Sequence, residues 1–318
     1  MKGNLYKIWC WSALTLVGSL LFSCEEGFMQ ESSRERQFLE VDIPIKDTAW
    51  FEEPVLSKPP LRVTYKLDSL ADMKKADSLW GSFSKEQQRI LLALNRIESV
   101  RVGPGSKLVM PDTLLVNFNV YAPFPWELEI LMPIPKTLLI SRRVQAFALY
   151  ECGRLIRWGP VSTGKQSTPT PAGLNYANYK AKRKVSTVNE SWIMPYYFNY
   201  MNFEGVGVHQ YLLPGFPASH ACVRLDMADA MFIYDWAEQW KLDPKGITVI
   251  KNGTPFMVFG EYDFEGEVPW LQLIEDPTAN DLNEEELKII ENYVREYFRD
   301  ERNFRETKII EPADFITT

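Results

Sequence analysis

Between Thr137 and Thr163, three apolar runs separated by two tight turns do most to limit how this 318-residue chain folds. Thr137 to Ser141 is the first run, and Val144 to Tyr150 the second, across an Arg142-Arg143 turn. Glu151-Cys152-Gly153-Arg154 turns the chain again before Leu155 to Thr163. Short apolar runs bounded by turn residues read as strands, because a helix needs a longer periodic stretch. Ile247 to Ile250 and Pro255 to Phe259, around Asn252-Gly253, read the same way. Asp226 to Trp240 predicts a helix with Met227, Ala230, Met231, Tyr234 and Ala237 on its apolar side. The expectation is a mainly β domain that carries one helix ahead of its last strands.

Histidine points to the chemistry. There are only two, His209 and His220, and the span from His209 to Cys222 holds both beside a cysteine. A thiol attacks only as thiolate, so it needs a base nearby. An imidazole takes the thiol proton and later returns it to a leaving group. His209, His220 and Arg224 would make the surroundings of Cys222 electropositive, and backbone N–H groups at Ala221 and Cys222 would stabilise an oxyanion. These pieces spell acyl transfer through a thioester. A zinc site from His209, His220 and Cys222 is the rival, but no fourth ligand stands out. A buried cysteine with two polar loop histidines is the bland alternative. The net charge of −7 argues against nucleic acid as a partner, which requires a basic face.

The stretch His209-Gln210-Tyr211-Leu212-Leu213-Pro214-Gly215-Phe216-Pro217-Ala218-Ser219-His220-Ala221-Cys222-Val223-Arg224-Leu225 resembles the signature of bacterial L,D-transpeptidases with the YkuD-like fold. Gly159-Pro160-Val161-Ser162-Thr163-Gly164-Lys165 and Thr168-Pro169-Thr170-Pro171-Ala172-Gly173 resemble two further segments of that family, and Gly253-Thr254-Pro255 its closing strand. The resemblance spans roughly residues 137–260. It implies a β-sandwich with a helix after the nucleophile and a peptidoglycan cross-linking reaction. In that reaction a tetrapeptide stem donates its third residue's carbonyl, D-alanine leaves, and a second stem's amine resolves the thioester. By position Cys222 matches the nucleophile and His209 the base, while His220, Ala221, Ser219 and Arg224 match residues that shape the oxyanion site or hold the loop. Tyr196, Tyr197 and Gly207 are candidates for substrate contact. The resemblance implies no metal or organic cofactor, peptidoglycan stem peptides as partners, and sensitivity to carbapenems. An L,D-carboxypeptidase or other murein hydrolase, or a non-catalytic murein-binding scaffold, is the alternative. The family glycine before the cysteine is Ala221 here; if that position needs φ > 0, alanine costs about 1 kcal/mol.

The flanks carry other signals. Lys2 and Lys7, then the apolar run Ile8 to Phe22, have the plan of a secretory signal over residues 1–23. Leu21-Phe22-Ser23-Cys24 resembles the bacterial lipobox, which implies lipidation of Cys24 and a lipid-anchored, periplasm-facing place in the cell envelope. Residues 24–65, charged and with Pro44, Pro54, Pro59 and Pro60, read as a tether. Residues 66–112 read as a small helical domain, with Leu67, Leu70, Met73 and Ala76 at helical spacing and Ser84 with Gln87 as a capping box. Asp77-Ser78-Leu79-Trp80, Leu94-Asn95 and Pro104 to Pro111 resemble a LysM glycan-binding module, although its first strand is not evident ahead of Asp77. Residues 113–136 connect this domain to the catalytic one at 137–260, with strand-like alternation over 113–123. Residues 261–318 form an extension with a helix from Asn283 to Arg302. The aromatic and basic stretch Tyr176 to Tyr200, with Lys180, Lys182, Arg183 and Lys184, reads either as a lid over substrate or as a capping loop. A Cys152–Cys222 disulfide is open in an oxidising compartment.

Overall fold

The structure, a computed structural model, describes residues 63–305 apart from 71, 187 and 188. The signal segment, Cys24 and nearly all of the tether lie outside the described residues. No helix among the described residues is long and apolar enough to cross a membrane.

The chain opens with β1 (Tyr65–Ser69), α1 (Met73–Gly81), α2 (Lys85–Leu94) and β2 (Lys107–Pro111), and β1 pairs antiparallel with β2. The Ser84–Gln87 capping box forms, closing the first turn of α2 from both sides. The helix expected from Leu67 is corrected: the chain is extended to Ser69, and the first strand missing from the sequence reading is present. Leu70 closes that strand by hydrogen bonds with Gly105 and Ser106, so its burial comes from a distant partner and not from a helical stripe. The strand expected over 113–123 is also absent. Asn117 accepts a hydrogen bond from the Asn119 N–H and starts a single 3-10 turn at Phe118–Tyr121.

Two sheets follow. One has five strands in the order β5-β4-β3-β13-β6, from β3 (Lys136–Ser141), β4 (Ala146–Glu151), β5 (Arg154–Pro160), β6 (Gly173–Tyr176) and β13 (Pro255–Phe259). The other has four in the order β10-β9-β8-β7, from β7 (Lys180–Val185), β8 (Ile193–Met201), β9 (Val206–Gln210) and β10 (Val223–Leu225). Strand periodicity sorts the apolar residues of β3, β4 and β13 to two sides. Leu138, Ile140, Phe147, Phe256 and Val258 pack between the sheets against Phe198, Val208, Val223 and Leu225. Leu139, Ala148, Met257 and Phe259 face the other way, into a core shared with Ile90 and Leu94 of α2 and with Ile290 and Tyr297 of the last helix. Both faces are buried, which is why these runs are nearly continuous in apolar residues.

Helix α3 (Met227–Trp236) follows β10 directly, capped by Asp226. Its buried side carries Asp229, Ala230 and Ile233, whereas Met227 and Met231 are exposed, so the apolar stripe expected through those methionines is corrected. A two-stranded ribbon of β11 (Lys241–Leu242) and β12 (Val249–Lys251) leads into β13. Helix α4 (Glu284–Arg299) has a full capping box from Asn283 and Glu286. Arg143 grips Glu286 with two hydrogen bonds of 2.9 and 2.7 Å, tying α4 to the β3–β4 turn.

Arg96 lies just past α2 with φ 56° and is 1% exposed. Among the described residues it has no carboxylate as a hydrogen-bond partner. Its guanidinium donates to the carbonyls of Val144, Ala93 and Leu94 and lies over the rings of Trp158 and Trp270 at 5.6 and 5.4 Å. The small module, the five-stranded sheet and the C-terminal extension meet at this one cation.

Candidate functional site

The site grows from the parallel pairing of β9 with β10, in which Val223 lies opposite Val208 and Arg224 opposite His209. Registered neighbours share a face, and alternate residues share it too. His209 and Gly207 therefore project to the same side as Arg224 and Cys222, the residue just before β10. Val206, Val208, Val223 and Leu225 point into the inter-sheet core and anchor the pair.

His209 is 5% exposed and its Nδ1 lies 2.9 Å from the Gln210 carbonyl oxygen. A carbonyl only accepts, so Nδ1 carries the proton and Nε2 keeps its lone pair. Burial brings the imidazole pKa down to about 4, a shift the Gln210 hydrogen bond opposes and the Arg224 charge adds to. The ring is thus neutral across the physiological range, as a proton acceptor must be. The Cys222 thiol is itself pushed up by burial, against a hydrogen bond from the Gly207 backbone and the charges of Lys184 and Arg224. The resting pair is thiol and imidazole, both neutral.

The loop ahead of Cys222 is held by its carbonyls. The Ser219 hydroxyl donates to the Cys222 carbonyl, Thr168 Oγ1 to Ser219 at 3.2 Å, and Thr170 Oγ1 to Ala221 at 2.7 Å. Arg224 donates to the Ala218 carbonyl at 2.9 Å, and the Ala218 and Ser219 N–H groups both reach Thr163. Ala221 sits at φ 77°, the left-handed region the sequence reading flagged for it. With the carbonyls engaged, the N–H groups of His220, Ala221 and Cys222 donate to no protein acceptor among the described residues. Three unpaired donors around a thiol are what a developing oxyanion needs.

Tyr197 closes one wall. Its ring lies 6.3 Å from that of His209, and its hydroxyl donates to the Gly205 carbonyl at 2.8 Å while accepting from Asn199. Gly207 makes this possible: a Cβ there would lie 2.6 Å from the Phe198 carbonyl oxygen and 2.7 Å from Tyr197 Cε2. Tyr196, next along β8, points the other way and meets Tyr234 of α3 edge-on at 5.6 Å, so the fold does not bring it to the cysteine. The stretch expected as a lid or loop is the β7–β8 hairpin. From its connection Trp192 packs on His220 at 5.0 Å, and Lys184 of β7 lies over Tyr197 at 4.9 Å. Cys152 and Cys222 do not form a disulfide.

The sequence reading assigned no role to Ser162, Thr163, Thr168 or Thr170. They form the bed of the loop: Ser162 exchanges backbone hydrogen bonds with Arg224 and caps Ala218, and Thr170 also accepts the Gly164 N–H. Their signal was the pair of Thr/Ser-rich family segments at 159–173. No group of three or more His, Cys, Asp or Glu side chains among the described residues stands together as a metal site would.

Residues 135–258 match the YkuD family model, the L,D-transpeptidase catalytic domain. This part of the chain is a YkuD-type domain. The solved L,D-transpeptidase of Stackebrandtia nassauensis is 26% identical with a TM-score of 0.33, over 40% of this chain and 57% of that one. L,D-transpeptidase 1 of Mycobacterium tuberculosis is 25% identical with a TM-score of 0.30, over 40% of this chain and 62% of that one. An L,D-transpeptidase of Mycobacterium smegmatis is 20% identical with a TM-score of 0.31, over 40% and 59%. The chain thus spans less than two thirds of the length of these structures. No curated protein matches the chain.

Proposed function

We propose that this chain is a cysteine L,D-transpeptidase of the peptidoglycan. The observation that carries the reading is a neutral His209 with Nε2 open, on the same strand face as Cys222, beside a loop with three unpaired N–H groups. In this reading Nε2 takes the Cys222 proton as Sγ attacks the carbonyl of the third stem residue. The oxyanion falls on the N–H groups of Ala221 and Cys222, with His220 beside them. Collapse breaks the bond to D-alanine, whose amine leaves with the proton from His209. The amine of a second stem then attacks the thioester, gives its proton to His209, and frees the thiolate, which takes that proton back. Tyr197 and Gly207 shape the wall along which the donor stem lies.

The same thiol is expected to open the strained ring of a carbapenem and hold its acyl group. The anchor is part of the proposal: signal cleavage ahead of Cys24, lipidation of that cysteine, and a tether that lets the enzyme stand off the membrane on the periplasmic side. Labelled palmitate incorporated into the wild type and lost in Cys24→Ser is the check.

The test of activity uses the soluble mature chain with Cys24→Ser, tetrapeptide muropeptides, and mass spectrometry of the products beside a Cys222→Ala control. Cross-linked dimers absent from the control are the expected result. Cysteine-dependent tripeptide without dimers makes water the acceptor and the protein a carboxypeptidase. No cysteine-dependent product overturns the reading and leaves a scaffold.

A further inference from the structure

A cleft of about 520 Å³ opens where α2 and the segment after it meet the catalytic domain. Its volume falls in the range of small-molecule sites, roughly 300–1,000 Å³. Trp80, Leu92, Ile97 and Leu213 supply its apolar lining. Lys85 and Arg89 line it together with Glu98 and Asp226, so both signs of charge are present in balance, while Asp229 is buried in its lining and paired with Arg157 at 2.6 Å.

Several of these groups have hydrogen-bonding capacity left over. The Arg89 guanidinium donates to no acceptor among the described residues; it lies over the Phe118 ring at 4.5 Å and 3.9 Å from the Asp229 carboxylate. Glu98 gives one oxygen to the Leu213 N–H and Asp226 gives one to the Asp229 N–H, and each keeps a second oxygen. Unused donors and acceptors beside Trp80, Leu92, Ile97 and Leu213 suit a neutral, hydroxyl-rich ligand with an apolar face. A polyanion would meet the Glu98 and Asp226 carboxylates there, and a bare ion would leave the apolar lining without a partner.

The position of the cleft is as telling as its lining. Cys222 immediately precedes β10 and Asp226 immediately follows it, and four extended steps span about 13 Å. Three extended residues of a stem peptide span about 10 Å. A sugar held in the cleft would therefore carry its stem to the thiol with the third residue's carbonyl in reach.

We propose that this cleft between the small module and the catalytic domain binds the N-acetylated sugar that bears the donor stem, so the enzyme selects stems still attached to glycan. The inference rests on the proposed transpeptidase reading. The test compares acylation of Cys222 by free tetrapeptide and by disaccharide-tetrapeptide, in the wild type and in Arg89→Ala. The expected result is a kcat/KM about tenfold higher for the sugar-bearing substrate, through KM, with the ratio falling close to one in Arg89→Ala. Equal efficiency on both substrates in the wild type overturns the proposal, and so does a preference that survives in a folded Arg89→Ala. A second measurement needs no turnover: titration with a β-1,4-linked N-acetylglucosamine tetramer, read by tryptophan fluorescence. Saturable binding that weakens about tenfold in Arg89→Ala supports the cleft; no binding, or binding unchanged by the substitution, overturns it. Should neither substrate acylate Cys222, the transpeptidase reading fails, and this titration still decides the cleft.

Discussion

Replacing Gly207 by alanine adds one methyl group at a crowded point of the site. Gly207 is not in the left-handed region, so its backbone conformation accepts alanine without strain. The obstacle is space, with the Phe198 carbonyl at 2.6 Å and the edge of the Tyr197 ring at 2.7 and 2.8 Å from the new carbon. The carbonyl belongs to the strand that pairs with β9 and cannot swing away, so β8 and β9 must part or Tyr197 must leave its hydrogen bond to Gly205. Overpacking of this kind costs about 1–3 kcal/mol, and the stiffer unfolded chain gives back about 0.4–1. The expected net loss is about 1–2 kcal/mol, read as a lower urea midpoint with an unchanged slope. Tyr197 shares its face with His209 and Cys222, so a displacement of about 1 Å would also lower acylation of Cys222 by roughly a hundredfold. A variant within about 0.5 kcal/mol of wild type that acylates at the wild-type rate would refute the claim that Gly207 is there to admit the Tyr197 ring.

Thr170→Val removes the donor to the Ala221 carbonyl and the acceptor of the Gly164 N–H, and should cost about 2 kcal/mol in urea unfolding and slow acylation as the loop loosens. At position 221 the stability order should be glycine at least equal to alanine, and both above valine, by about 2 kcal/mol for the β-branched residue at φ 77°. A valine variant as stable as wild type would remove strain from the account. His209, held at about 4 in the fold against 6.5 unfolded, contributes stability that is present above pH 6.5 and lost as pH falls toward 4, on the order of 3 kcal/mol. Asp229, pushed by burial up to about 7 from 3.8, works the other way, its stabilisation present below pH 3.8 and lost as pH rises through 7. The slopes oppose, so each is measured by difference: His209→Gln should remove the first and Asp229→Asn the second, and a wild-type slope in either variant would sink its assignment.

Much of the site was legible because its chemistry is local in sequence. His209, Ser219, His220, Cys222 and Arg224 fall within one stretch, and the left-handed demand on Ala221 follows from the glycine it replaces. Four strands of the five-stranded sheet were legible from run length and turns, whereas β6 was not, because it is a short, half-buried segment placed by its pairing with β13. What escaped depends on distant partners. Leu67 and Leu70 stand at helical spacing, yet β1 is a strand because β2, some 40 residues on, supplies its hydrogen bonds. Alternation over 113–123 misled because Asn117 starts a turn by bonding its own backbone, a local competitor of strand pairing. Tyr196 and Tyr197 looked alike in sequence, but neighbours on a strand face opposite ways, and only the pairing with β9 tells which one meets the histidine. Ser162 to Thr170 act through backbone contacts that no spacing rule displays.

Arg96 has a consequence for how the protein comes into being. Its two indole neighbours sit at 158 and 270, so the last of them leaves the ribosome long after the cation itself. Until then the outer face of the five-stranded sheet, with Leu139, Ala148 and Met257, has no cover from α4. The chain is therefore poorly suited to folding piece by piece during synthesis, and its core closes in one step once α4 is available. A chain stopped at Gly260 should be cut by protease throughout its length, while the chain through residue 305 should resist.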